Sequence, residues 1–159
     1  MKNLITPCLW FDTEAEEAAD LYTSIFKNSK IDHISRYNME GKEVHGKDSG
    51  TVMTVNFTIN GQPFVALNGG PLFQFNEAVS FQIFCDTQEE IDHYWNSLTK
   101  DGGQESQCGW LKDKYGVSWQ VIPSMLGELM SVPDKAEKIT KTFLQMKKID
   151  INVLEQAGR

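Results

Sequence analysis

An internal repeat constrains the fold of this chain more than any other feature of its sequence. Near the start, an apolar run ends in Asp12-Thr13 and continues into an acidic turn and an amphipathic stretch. Near the middle, a second apolar run ends in Asp86-Thr87 and continues in the same order. The repetition of one strand-to-helix joint indicates that a supersecondary unit has been duplicated.

Both joints carry the sequence signal of a helix N-terminus. Thr13 stands three residues before Glu16, and Thr87 stands three residues before Glu90. This spacing predicts a capping box, in which the hydroxyl accepts a hydrogen bond from a free backbone N–H and the carboxylate bonds back to the cap. Apolar residues recur at helical spacing after each joint, so we predict one helix in each repeat.

The remainder of each repeat is predicted to form strands. Runs rich in β-branched and aromatic residues are separated by turn signals, of which Asn60-Gly61 is a strong hairpin signal. The predicted strands after the two helices span residues 31–37, 52–59, 63–68, 108–112 and 117–122. Each repeat therefore has the order strand, helix and then about three strands, and the fold class is α+β.

We expect all 159 residues to form a single domain made of two modules and a tail. Module one covers residues 1–70, module two covers residues 76–123, and the helical tail covers residues 124–159. Within the tail, a short helix reaches Met130 and an amphipathic helix is predicted from residue 134 to about residue 148. The apolar side of this helix packs either on the same domain or on a partner subunit.

The composition excludes several classes of function. The net charge is −7 and the Lys and Arg residues are spread along the chain, which argues against a nucleic-acid-binding protein. No apolar stretch approaches the roughly 20 residues of a transmembrane helix, and the chain does not begin with a signal-peptide pattern. The three cysteines lack CxxC spacing and are typical of reduced thiols. We therefore expect a cytoplasmic protein.

Four segments of the chain form a recognisable set: TPCLWF at residues 6–11, FVALNGGP at 64–71, CGWLKD at 108–113 and WQV at 119–121. Together they resemble the PhnB-like proteins, a branch of the glyoxalase/bleomycin-resistance (vicinal oxygen chelate) superfamily. Members of this branch often carry the name 3-demethylubiquinone-9 3-methyltransferase. The resemblance implies paired βαβββ modules whose sheets curl around a cavity, followed here by C-terminal helices. It also implies a homodimer.

The methyltransferase name is not supported by a cofactor motif. A nucleotide-type cofactor site needs a glycine-rich loop that follows a first strand and leads into a helix. Gly69-Gly70 instead follows a late hairpin strand, and no helix pattern comes after it. We therefore predict no methyltransferase activity and no cofactor.

The metal site of the superfamily is also not matched by this sequence. In the metal-dependent relatives, each module contributes a His or Glu from its first strand and a Glu from its last. The corresponding positions here fall near Thr6 (or Ile5), Asn68, Ser80 and Gln120. None of these residues is an imidazole, carboxylate or thiolate donor of the kind a divalent transition metal binds. We therefore predict no metal at the inherited position.

Strand alternation predicts which side chains face the cavity, because successive side chains of a strand point to opposite faces. The predicted cavity-facing set is polar but uncharged, with aromatic rings that offer stacking surface. The predicted ligand-binding residues are Thr6, Cys8, Trp10, Asn56, Asn68, Ser80, Gln82, Trp110 and Gln120.

The candidate catalytic residues are more simply explained as structural residues than as catalytic ones. His45 forms the only His/carboxylate cluster, with Glu43 and Asp48, and it becomes a base or ligand only if its loop folds over the cavity. The cysteines Cys8 and Cys108 are the only candidate nucleophiles, but no base is predicted beside Cys8, so we expect buried, inert thiols. We assign no catalytic residue.

Three hypotheses about function follow. The first is a metal-free PhnB-like dimer that binds a small organic molecule. The second is an enzyme of the same fold, a metal-dependent lyase, isomerase or dioxygenase, that acts through an unrecognised metal or base. The third is a structural partner protein that uses its C-terminal helix as an interface.

Overall fold

The computed structural model describes residues 5–159 and divides them into two compact units. Unit one ends at Gln74, and unit two is Phe75–Arg159. Each unit contains one open, four-stranded sheet. The mixed α+β fold class predicted from the sequence is confirmed.

Unit one is a βαβββ module with a short additional helix in its long loop. Strand β1 is parallel to β4, the other strand pairs are antiparallel, and the strand order is β1-β4-β3-β2. The elements are β1 (Cys8–Phe11), α1 (Ala15–Ile25), β2 (Lys30–Arg36), α2 (Lys42–His45), β3 (Val52–Ile59) and β4 (Gln62–Asn68).

Unit two repeats the same topology, with strand order β5-β8-β7-β6 and a parallel β5–β8 pair. The module consists of β5 (Ser80–Cys85), α3 (Gln88–Thr99), a 3₁₀ turn (Lys100–Gly102), β6 (Gln104–Glu105), β7 (Trp110–Lys112) and β8 (Ser118–Pro123). The tail adds α4 (Leu126–Met130), α5 (Pro133–Phe143) and α6 (Ile151–Ala157). No helix among residues 5–159 is long and apolar enough to cross a membrane.

Each sheet buries one face against the helix of its own module. In unit one, Leu9 and Phe11 of β1 are buried while Cys8 and Trp10 are more exposed, which is the predicted alternation. In unit two, Trp95 of α3 and Trp119 of β8 are each 2% exposed, so both belong to the helix–sheet core. The opposite face of each sheet is less buried, because no helix of the same module covers it.

The predicted capping box forms at α3, except that its carboxylate bonds to the residue before the cap, and it is wrong at α1. At α3, Thr87 Oγ1 accepts a hydrogen bond from the Glu90 N–H at 3.2 Å, and Glu90 Oε2 accepts one from the Asp86 N–H at 2.8 Å. At α1, neither Thr13 nor Glu16 caps the helix. The Ala15 N–H donates instead to Oδ1 of Asn68, at 2.8 Å, because the end of β4 brings this amide to the start of the helix.

The long helix predicted for residues 134–148 is too long. Helix α5 ends at Phe143. Two carbonyl groups beyond this end accept hydrogen bonds from the residues just before β7 and not from a continued helix. Met146 O accepts from the Cys108 N–H at 2.7 Å, and Lys147 O accepts from the Gly109 N–H at 2.8 Å. The chain then forms α6, which the sequence analysis did not predict, capped by Asp150.

The strand predicted for residues 108–112 begins at Trp110 in the structure, two residues later than predicted. Cys108 and Gly109 have φ of +59° and +79°, in the left-handed region, so strand geometry starts only at Trp110. The left-handed turn points both N–H groups at the tail, where they make the two bonds described above.

Candidate functional site

The open face of the unit-two sheet carries a row of uncharged polar side chains. Gln82 of β5 lies opposite Gln120 of β8, and Ser80 precedes Gln82 on the same face. Gln120 Nε2 donates to Ser80 Oγ at 2.7 Å, and Gln82 Nε2 donates to Gln120 Oε1 at 3.3 Å. The three side chains therefore form one hydrogen-bonded row, which we call the amide row.

Aromatic rings flank the amide row on both sides. Trp110 of β7 lies opposite Gln120 in the strand register and is half-buried. Phe84 follows Gln82 on the same face of β5 and is 63% exposed. Both rings offer apolar surface beside the hydrogen-bonding groups.

Lys112 is the charged residue on β7 of this sheet, and its charge is already compensated. The Lys112 ammonium forms an ion pair with Glu77. The hydrogen bond from Lys112 holds the pKa of the Glu77 carboxyl below its usual value. The face around the amide row is therefore close to neutral.

The open face of unit one has an aromatic group rather than a polar row. Trp10 Nε1 donates to the carbonyl oxygen of Gly70 at 2.8 Å, and the Phe73 ring packs edge-on to the indole with centroids 5.0 Å apart. Cys8 precedes Trp10 on this face, and Asn56 is exposed on β3. Thr6 is exposed just before β1.

Asn68 does not join either group of candidate residues. It is buried on the side of β4 that carries Phe64 and Ala66, which is the side covered by α1. Its Oδ1 accepts from the Ala15 N–H, and its Nδ2 donates to the carbonyl oxygen of Val52 at 3.1 Å. Both ends of the amide are thus engaged with backbone groups, and the residue is a helix cap.

The donor set at the four positions inherited from the metal-dependent relatives does not suit a divalent transition metal. Ser80 and Gln120 carry neutral donors that bond to each other, and Asn68 is engaged in capping. Within residues 5–159, no group of three or more His, Cys, Asp or Glu side chains is arranged to hold a metal ion. Zinc and related ions bind imidazole, carboxylate or thiolate groups.

His45 is held inside its own loop. The Lys47 N–H donates to Nδ1 of His45 at 2.9 Å, so the ring proton lies on Nε2, which donates to the Glu40 carbonyl oxygen at 3.1 Å. The ring also contacts the Tyr37 ring at a tilt of 35°, with centroids 4.5 Å apart. Both ring nitrogens are occupied, and neither is free to take a proton from a bound molecule in this arrangement.

The cysteines differ in burial, and the expectation that Cys8 and Cys108 are both buried is wrong. Cys8 is exposed, Cys108 is half-buried and Cys85 is fully buried. Desolvation raises the pKa of the Cys8 thiol, which disfavours the nucleophilic thiolate. Burial, together with the carboxylates of Glu90 and Asp86, raises the pKa of Cys85 to about 12.

Sequence analysis missed one polar residue of the unit-two core. Asp113, in the predicted turn, is only 2% exposed. Its carboxylate accepts hydrogen bonds from Trp119 Nε1 at 2.9 Å and from the Tyr115 and Val117 N–H groups at 2.9 and 3.1 Å. The side chain closes the β7–β8 turn and anchors the core tryptophan. The only sequence signal was an Asp at the start of a turn.

The family model for 3-demethylubiquinone-9 3-methyltransferase matches residues 3–122, which contain both modules and exclude the tail. The chain belongs to this family. A PhnB protein from Bacillus cereus is 38% identical over 76% of this chain and 99% of its own, with a TM-score of 0.67. The resemblance to the PhnB-like branch is thereby confirmed.

More distant solved structures share the fold. A Pseudomonas aeruginosa protein is 18% identical over 77% of this chain and 98% of its own, with a TM-score of 0.62. The fosfomycin resistance protein FosX from Listeria monocytogenes is 18% identical over 83% of this chain and 98% of its own, with a TM-score of 0.54. A search of curated proteins found no significant match.

Proposed function

We propose that this PhnB-like protein binds a small, uncharged organic molecule at the open face of the unit-two sheet. The observation that carries the proposal is the amide row, Ser80–Gln120–Gln82, flanked by Trp110 and Phe84. Ligand sites are typically apolar surfaces with a few placed polar groups, and this face has both features.

The direction of the hydrogen bonds defines what the row offers to a ligand. Because Ser80 Oγ accepts from Gln120, its own O–H remains to donate outward. Because Gln82 uses one N–H on Gln120, its carbonyl oxygen remains to accept. A ligand with an acceptor at one end and a donor at the other, such as an amide or a phenol on a planar ring, complements this pattern.

The same observation favours a metal-free protein without methyltransferase chemistry. Ser80 and Gln120 are neutral and bonded to each other, so they make poor ligands for a divalent ion. Gly69-Gly70 leads into a turn and not into a helix. We therefore propose sequestration or sensing of the small molecule in place of its chemical conversion.

The proposal includes a homodimer in the cytoplasm. The cysteines are free thiols, which accords with a reducing compartment. Sedimentation velocity of the purified protein tests the dimer, since a monomeric mass at micromolar concentration contradicts it.

The test of binding compares the wild-type protein with Gln120→Leu, using benzamide, nicotinamide and 4-hydroxybenzamide as probes. We expect at least one probe to raise the Tm of the wild type, since a ligand of the native state stabilises it by mass action. Gln120→Leu removes both central bonds of the row and should weaken binding by about tenfold. The exposed tail residue Gln145, changed to Leu, serves as the matched control and should bind normally.

Elemental mass spectrometry on tag-free protein completes the test. Substoichiometric metal, together with loss of probe binding in Gln120→Leu, supports the proposal. Stoichiometric bound metal would redirect the search to lyase, isomerase and dioxygenase substrates. Probe binding that is equal in the wild type and Gln120→Leu would remove the amide row from the site.

A further inference from the structure

An open groove of about 430 Å³ lies in unit one. The first turn of α1 contributes Thr13 and Glu16 to its wall, and the loop before β3 contributes Lys47, Asp48 and Thr51. Its volume is within the range of small-molecule sites. We call it the Lys47 groove.

Two opposite charges in this groove lack partners within the described part of the chain. Lys47 and Glu16 are both half-buried, and neither side chain forms an ion pair or hydrogen bond with any of residues 5–159. They are also not paired with each other. Lys and Glu side chains are rarely taken fully out of water unless they are paired, because removing a charge from water is costly.

The other carboxylate of the groove is already neutralised. Lys42 Nζ contacts Asp48 Oδ1 at 2.8 Å, and this contact lowers the pKa of the Asp48 carboxyl. The groove therefore presents one available cation and one available anion. The Thr13 hydroxyl adds a polar group without a side-chain partner among the described residues.

The backbone of Lys47 is held in place by its loop. The backbone N–H of Lys47 donates to Nδ1 of His45, whose ring contacts that of Tyr37. The Tyr37 hydroxyl donates to the Asn68 carbonyl oxygen at 2.7 Å, at the end of β4. This chain of contacts ties the loop to the sheet. The Lys47 ammonium lies beside Gly70, 3.7 Å from where a methyl group on that glycine would lie.

We propose that the Lys47 groove binds a zwitterionic amino acid, with the carboxylate on Lys47 and the ammonium on Glu16. A purely anionic ligand would face Glu16 and the overall charge of −7, and a purely cationic ligand would face Lys47. A zwitterion pairs with both charges and brings no net charge into the field. This inference is independent of the amide row.

The experiment titrates ¹⁵N-labelled full-length protein with the twenty standard L-amino acids, β-alanine and 4-aminobutyrate. We expect at least one of them to bind with a Kd below about 1 mM and to shift the amide signals around Lys47 and Glu16. The matched amine and carboxylic acid, each lacking one charge of that ligand, should bind at least about tenfold more weakly. These analogues test the charge pairing in the unaltered protein.

Variants then assign the two charges. Lys47→Met should weaken the zwitterion and the carboxylic acid analogue but not the amine, and Glu16→Gln should show the reverse selectivity. Lys27→Met and Glu137→Gln alter exposed residues outside the groove and serve as charge-matched controls. Gln120→Leu should retain amino acid binding, which separates this inference from the function proposed for unit two.

Three outcomes would overturn the inference. The first is that no zwitterion shifts the groove signals. The second is that one singly charged analogue binds as tightly as the zwitterion. The third is that Lys47→Met and Glu16→Gln bind the zwitterion as the two control variants do.

Discussion

The indole ring of Trp10 occupies the space that a side chain at Gly69 would fill. A methyl group on Gly69 would lie 2.3 Å from two carbon atoms of the ring. The ring is fixed there by its hydrogen bond to Gly70 and by the edge of Phe73. Gly69 therefore lacks a side chain because the packing of a tryptophan requires it.

We expect Gly69→Ala to lower the free energy of unfolding by about 1–3 kcal/mol, because the indole must move or the backbone must shift. Urea denaturation measures this change. In a Trp10→Ala background the same substitution should cost much less, since the clash is absent. Gly127→Ala, in α4 with no atom within 4 Å of the new methyl group, is the control and should not destabilise the protein.

The two helix N-termini should respond differently to the same substitution. Thr87→Ala removes the hydroxyl cap of α3 and should cost about 1 kcal/mol, whereas Thr13→Ala removes no cap and should cost less than about 0.5 kcal/mol. Asn68→Ala leaves the Ala15 N–H and the Val52 carbonyl without their side-chain partner and should cost about 2 kcal/mol or more. Equal effects of Thr13→Ala and Thr87→Ala would contradict this account of α1.

The elements of the two modules could be predicted because strand alternation and helix starts are encoded in neighbouring residues. Alternation identified Leu9 and Phe11 as core residues, and the Asp86-Thr87 joint identified the start of α3. The cap of α1 was missed because Asn68 reaches it from 53 positions away, and no local pattern records that contact.

The C-terminal tail and the loop before β3 also depend on contacts that local sequence does not record. The apolar pattern around Phe143 and Met146 is compatible with a continued helix, but the Cys108 and Gly109 N–H groups take the carbonyls of Met146 and Lys147. The sequence also gives no sign that Lys47 lacks an ion-pair partner among residues 5–159, since Glu43 and Asp48 stand nearby. Only the fold shows that Asp48 pairs with Lys42 and not with Lys47.

Cys85 should not react with thiol reagents in the native protein, whereas Cys8 should react. Cys85 is fully buried and its pKa is raised to about 12, so neither access nor thiolate is available near pH 8. Mass spectrometry after iodoacetamide treatment counts and locates the modified thiols. Rapid native modification of Cys85 would show that its surroundings open.

The raised pKa of Cys85 also predicts a pH dependence of stability. Below pH 9.0, the ordinary pKa of the thiol, both the folded and unfolded states hold the proton. Between pH 9 and about 12 the unfolded thiol loses its proton first, so stability falls as the pH rises, by at most about 1.4 kcal/mol per pH unit. Urea denaturation at pH 8 and pH 10 should show a smaller loss for Cys85→Ala than for the wild type. Identical losses would contradict the assignment to Cys85.

Asp113 should be essential to the stability of unit two although it takes no part in the proposed binding face. Asp113→Ala leaves three buried or half-buried N–H donors without their acceptor and should cost about 2–4 kcal/mol. Asp113→Asn keeps an acceptor for the turn, but the amide NH₂ then faces the Trp119 N–H. Since Trp119→Phe removes that N–H, Asp113→Asn should cost less in the Trp119→Phe background than in the wild type. Additive costs in this double-mutant cycle would mean that the Asp113–Trp119 bond does not stabilise the fold.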